Sequence, residues 1–221
     1  MLVMVMVALL AGCATESSRP VDVAKTASAS APWSGAKVPL SIGKFDNRSS
    51  YMQGVFSDGV DRLGSQARTV LASHLQQSQR FNVLDRENLA ESKQEAQFRA
   101  KEQVIKGGDY IVTGDISAFG RKEVGDRQLF GILGRGKAQI AYAKVTLNVV
   151  DPLSSELVYS AGGAGEYALS NREIVGFGGT AGYDATLNAK VLDLAMREAV
   201  DKLVAGMDGG QWGRPGTAAG R

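Results

Sequence analysis

The stretch 139–150 alternates without a break. Ala141, Ala143, Val145, Leu147 and Val149 fall on one side, while Tyr142, Lys144, Thr146 and Asn148 fall on the other. A period of two over that length is the pattern of a β-strand with one buried and one wet face. Such a strand is stable only within an antiparallel sheet covered on one side, so the rest of the chain must supply neighbours and a helical layer. Matching strand patterns occur at 38–45, 81–84 and 110–118, and another begins at 157–159 after the turn signal Asp151-Pro152.

The helical layer is visible as apolar residues at helical spacing. Leu63, Ala67, Val70, Leu71 and Leu75 form one stripe, and Leu187, Val191, Leu194, Ala195 and Leu203 form another within 186–204, with Gly206 as its expected stop. Between them, 85–105 reads as a polar helix capped by Asp85 and ended by Gly107-Gly108. The fold class expected is α+β, a mixed α/β sheet carrying helices. His74 adjoins the first stripe and reads as a half-buried helix residue, since no Ser or Cys nucleophile motif accompanies it.

Composition excludes several chemistries. Among 221 residues there are 25 Lys plus Arg against 23 Asp plus Glu, so no electrostatic case exists for nucleic-acid binding. One His and one Cys leave no material for a disulfide framework, a multi-His site or a thiolate cluster, and no metal or cofactor is expected. Paired carboxylates do not stand out either, and the chain does not read as an enzyme.

Gly is the outlier, with 27 residues, 15 of them between Gly107 and Gly182. They gather in two stretches expected to interrupt the sheet as β-hairpin inserts, 119–138 and 161–182. The first holds the charged run 121–127 and then Phe130, Ile132 and Leu133. The second holds Tyr167 and Leu169, a turn expected at Ser170-Asn171-Arg172, and then Ile174, Val175 and Phe177. Neither contains G-x-x-x-x-G-K-[ST], so phosphate loops are excluded and turn glycine is the expected reading. Each insert is long enough for two strands of the ~9 to 11 residues that cross a bilayer, and extended surface hairpins are the alternative.

The N-terminus reads separately. Residues 1–11 are wholly apolar but fall short of the ~20 a membrane helix needs, and they run into Leu10-Ala11-Gly12-Cys13, a lipobox-like end of a signal peptide (1–12). Cys13 is the candidate lipidation residue. Residues 13–37, rich in Ala, Ser, Thr and Pro, read as a flexible tether with a reach on the order of 25 Å. The domain proper is expected over 38–207, followed by a flexible tail at 208–221.

A lipobox Cys, a tether, an initial strand, a helical pair and two inserts in one sheet resemble the CsgG/HfaB family of outer-membrane lipoproteins. The segments Tyr110-Ile111-Val112-Thr113-Gly114-Asp115-Ile116, Phe130-Gly131-Ile132 and Leu147-Asn148-Val149-Val150 carry the resemblance. It implies a lipid-anchored protein on the periplasmic face of the outer membrane. Copies would form a homo-oligomeric, nonamer-like ring in which each gives two hairpins to a shared transmembrane β-barrel. Secreted curli-like fibre subunits would cross by diffusion, with periplasmic accessory proteins as further partners and no nucleotide or metal.

The family's constriction loop would correspond to 46–61, with Tyr51 and Phe56 in the aromatic positions and Val55 where the family has Asn. The same two aromatics would also serve simply to pin that loop to the domain. Charges at 121–123 and 126–127 break the apolar alternation a lipid-facing strand requires. They keep a second reading open, a periplasmic accessory lipoprotein that works by protein contact without a pore.

Overall fold

The structure is a computed structural model and describes residues 25–51, 61–127, 135–173 and 186–213. Five strands form one sheet: β1 (Val38–Asn47), β2 (Phe81–Leu84), β3 (Tyr110–Arg127), β4 (Arg135–Val150) and β5 (Leu157–Glu173), in the order β2-β1-β3-β4-β5. β2 and β3 both run parallel to β1, whereas β4 is antiparallel to β3 and β5. The parallel pairs require crossovers. These are supplied by α1 (Arg62–Gln77) and by the segment carrying α2 (Leu89–Phe98), and α3 (Thr186–Asp208) closes the chain.

The expected mixed sheet is present, and its buried side follows the expected alternation. Ala141, Ala143, Val145, Leu147 and Val149 meet Leu63, Ala67, Leu71 and Leu75 of α1 and Val191, Leu192, Ala195, Met196, Ala199 and Leu203 of α3 in one buried cluster. His74 is buried rather than half-buried: Nε2 lies 2.8 Å from Asp193 Oδ1, which ties α1 to α3.

Several sequence expectations are corrected. The polar helix spans only Leu89–Phe98, because it has no apolar face to bury and Ala100 adopts φ 52, ending the turn well before Gly107. Asn88, not Asp85, holds the N-cap position. Asp85 instead accepts from the Glu87 and Asn88 amides and the Asn88 side chain, which hold its carboxyl below the usual range. The sheet is not interrupted at 119 or at 161, since β3, β4 and β5 run on without a break. No turn occurs at Ser170-Asn171-Arg172, which pair with Ala138, Lys137 and Gly136.

The described glycines of the second stretch, Gly162, Gly163 and Gly165, are strand residues rather than turn residues. A Cβ on Gly163 would collide with the Ala195 carbonyl and the Ala199 amide, and one on Gly165 would stand 2.8 Å from the Val191 carbonyl. Their absence lets α3 lie directly on β5. α3 runs past Gly206, which is buried beneath the Tyr159 ring. On the free side of β5, Glu198 accepts from the Ala164 amide (2.7 Å) and Lys202 donates to the Gly162 carbonyl (2.9 Å). The edge is thereby capped by side chains of α3.

Both expected flexible ends dock where they are described. Trp212 is buried, stacks between Phe81 and Tyr159, meets Tyr110 edge-on and donates from Nε1 to the Leu203 carbonyl. At the other terminus, residues 27–30 form a 3-10 turn whose amides bond Asp201, and Trp33 lies beneath the Arg80 guanidinium.

Candidate functional site

The sheet outruns the elements that flank it, first β1 and then α3. The β1–β3 ladder ends at Asn47 opposite Ile116, and α3 begins at Thr186. Beyond these points β3, β4 and β5 continue as a three-stranded extension, in register to Arg127, Arg135 and Glu173. The base of this extension is the candidate site.

Three elements meet there. Asn188, in the first turn of α3, accepts through Oδ1 from Arg121 Nε (2.7 Å) and donates through Nδ2 to the Tyr51 hydroxyl (2.8 Å). The Tyr51 ring packs on Phe119 with centroids 4.9 Å apart. Asn47 closes the start of the 46–61 loop, accepting from the amide and hydroxyl of Ser49 and donating to the Tyr51 carbonyl. Asp61 closes its end, accepting from the Gly64 amide to cap α1 and from the Asn47 amide to join the two ends. The two described ends of the 46–61 segment are therefore fastened to each other beside the mouth of the extension, and Tyr51 is held there by Phe119 and Asn188.

Along the extension the register sorts residues into rows. Lys122, Ile140 and Ala168 share one row, and Val124, Ala138 and Ser170 share the next of the same parity, followed by Asp126, Gly136 and Arg172. Rows of the other parity hold Arg121, Ala141 and Tyr167, then Glu123, Gln139 and Leu169, then Gly125, Lys137 and Asn171, and finally Arg127, Arg135 and Glu173. Charge thus concentrates in one parity and small or apolar residues in the middle of the other.

Of the residues singled out from sequence, Tyr51 lies at the mouth, while Tyr167 and Leu169 lie in β5 opposite Ala141 and Gln139. The Lys190 ammonium stands 5.2 Å from the Tyr167 ring. Cys13, Val55, Phe56, Phe130, Ile132, Leu133, Ile174, Val175 and Phe177 fall outside the described residues. Sequence reasoning missed Asn188, which no periodicity marks. It also missed the fit of Gly163 and Gly165 to Ala195 and Ala199, a small-residue spacing legible once a helix and a strand are both suspected. Among the described residues no group of three His, Cys, Asp or Glu side chains is placed to hold a metal ion, and no helix is long and apolar enough to cross a membrane.

Comparison with known proteins gives the family. The model of the family described as "Curli production assembly/transport component CsgG" matches residues 21–215. A protein of Neisseria meningitidis serogroup B named as a lipoprotein is 65% identical over 203 residues, covering 92% of this chain and 91% of that one. Among solved structures, the PelC dodecamer of Paraburkholderia phytofirmans is 11% identical over 76% of this chain and 93% of its own, with a TM-score of 0.35. The lipoprotein GNA1162 of Neisseria meningitidis is 10% identical over 76% and 99%, with a TM-score of 0.31. The family match spans the sheet, its extension and all three helices, and the chain belongs to the CsgG family of curli production assembly/transport components.

Proposed function

We propose that the chain is an outer-membrane lipoprotein, lipidated at Cys13, whose copies join through their sheet extensions into a ring that passes unfolded fibre subunits by diffusion, without catalysis. The observation that carries this reading is the pair of sheet edges on the extension. Among the described residues no strand pairs with β3 on its β1 side beyond Ile116, and β5 is the outer strand throughout. Open edges of that length seek other strands. Two different edges on one subunit make a head-to-tail contact, and such contacts form a ring when the rotation between copies closes.

β3 and β5 both run antiparallel to β4, so joining the extensions directly would give a parallel seam. Membrane barrels are antiparallel throughout. In this proposal the far arm of the second hairpin, with Ile174, Val175 and Phe177, comes between neighbouring extensions and makes the junction antiparallel. Phe130, Ile132 and Leu133 form the tip, and Tyr167 and Leu169 belong to the wall. The parity rich in charge, with Arg121, Glu123 and Lys137, faces the lumen, and the parity of Ile140, Val124 and Ala138 faces lipid. Tyr51, Val55 and Phe56 line the constriction from the loop fastened at the mouth.

One observation favours a second reading, a contact-making accessory lipoprotein of the envelope without a pore. The parity proposed to face lipid holds only two rows before Asp126 and Arg172, and Lys122 already stands in the first of them beside Ile140 and Ala168, whereas the apolar band of a membrane barrel is ~25 Å tall. Single-particle imaging of protein extracted from outer membranes, with planar-bilayer conductance on the same sample, separates the two. A ring with steady conductance upholds the channel, and a non-conducting monomer or small oligomer establishes the accessory reading.

A further inference from the structure

We propose that residues 25–33 are a clasp that fastens the N-terminal segment to the base of the sheet and sets how far the body stands from a lipid held at Cys13. This rests on the lipid anchor of the proposed function and not on the pore. Asp201 of α3 accepts from the Ala27 amide (3.1 Å), the Ser28 amide (3.2 Å) and the Ser28 hydroxyl (3.1 Å). Arg80, 5% exposed, donates from one guanidinium nitrogen to the carbonyls of Ser28 (3.2 Å) and Ala31 (3.0 Å), binds Asp208 with another (3.2 Å), and lies 4.8 Å above the Trp33 ring. Thr26 is buried to 2% exposure beside them. Two charged side chains from the folded body thus grip both ends of the segment, and hydrogen bonds to charged groups are the strong ones.

The clasp shortens the anchor's reach. From Cys13 to Lys25 are 12 residues, which span at most ~40 Å. Without the clasp the first fixed residue is Val38, 25 residues from Cys13, and the limit rises to ~85 Å. Asp201 and Asn188 are 13 positions apart on α3, or ~20 Å along its axis. Asn188 stands level with Arg121, at the mouth of the extension. The clasped leash therefore reaches that mouth with slack, and a leash of four residues, limited to ~14 Å, does not.

The natural tryptophans report the height of the clasped end, since Trp33 and Trp212 both lie there. The full lipidated chain is placed in phosphatidylethanolamine/phosphatidylglycerol vesicles containing dansyl-labelled headgroups. Deleting residues 14–21 leaves three residues between Cys13 and Lys25, a leash of four residue steps, and energy transfer from tryptophan to dansyl rises at least twofold. Adding Asp201→Ala to the deletion returns transfer to the level of the intact chain. In parallel, trypsin cuts the intact-length Asp201→Ala protein at Lys37 at least tenfold faster than the natural sequence, while its melting transition stays cooperative. Equal cleavage rates overturn the clasp, and transfer unchanged by the deletion overturns its role in setting height. Absence of conductance in the unaltered protein counts against the pore alone and leaves both readouts intact.

Discussion

The base of the sheet and its extension are built from the same three strands, yet they are stabilised differently. At the base, β3, β4 and β5 are roofed by α1 and α3, and residues such as Val112, Leu147 and Ala161 are buried. Past Arg121 and Tyr167, where the first turns of α3 still touch the strands, no helix among the described residues covers them and backbone pairing continues. The base holds itself together by packing. Among the described residues the extension is held at its foot by Arg121, Asn188 and Tyr51 and by Lys190 against Tyr167, and in the proposed ring its two edges take strands from elsewhere. Stability thus resides in one region and, under the proposed function, assembly in the other, so substitutions should separate the two properties.

The largest effect is expected where base and helix touch most closely. Gly163→Val would drive its side chain into backbone atoms of α3 that cannot move aside, and we expect a loss of ~4 kcal/mol or more, measured by denaturant unfolding. Stability within ~1 kcal/mol of the original would mean that α3 can lift off β5. Next comes Trp212→Ala, which empties the space among Phe81, Tyr110 and Tyr159 and should cost about 3 kcal/mol. An unchanged melting temperature would show that residues beyond α3 do not belong to the core.

The extension should respond in the opposite sense. Val124→Lys places charge in the row proposed to face lipid, at a cost of ~2 kcal/mol or more at the midplane of a bilayer, yet the isolated body should lose less than ~0.5 kcal/mol. Conductance abolished with an unchanged melt sharpens the contrast. Conductance retained would place that row away from lipid.

How much of this was legible follows from what each signal measures. Periodicity reports burial of one face, so β1, α1, the inner half of β4 and the start of α3 could be read directly. It fails where burial fails: Arg121 to Arg127 carry no apolar alternation, yet they are strand because β4 pairs with them residue by residue. Gly163 and Gly165 resembled turn residues because composition cannot distinguish a glycine that bends the chain from one that admits a helix. Arg80 and Asp201 carried no pattern at all, since their partners are backbone groups of a segment that composition marked as linker. At the mouth only Tyr51 could be anticipated, because the Asn188 side chain that bonds it lies more than a hundred residues away.

The smallest effect concerns the edge that the base closes for itself. Lys202 beside Glu198, together with the Ala164 amide, holds the Glu198 carboxyl below its ordinary value of 4.5, and desolvation opposes this only in part. A carboxylate with a lowered folded value stabilises the fold at pH above its unfolded value, and that contribution disappears as pH falls through the folded one. Glu198 is partly exposed, so solvent screening keeps the contribution small. Glu198→Gln should therefore lower the melting temperature slightly at pH 7, and the difference from the original protein should shrink as pH falls below the ordinary carboxylate value and vanish once the folded carboxyl is protonated. A gap that persisted in acid would mean that Glu198 acts through packing on α3 rather than through its charge. A gap that vanished, accompanied by new self-association at neutral pH, would show that this side chain keeps the strand edge at Gly162 and Ala164 from pairing, and confines recruitment of other strands to the extension.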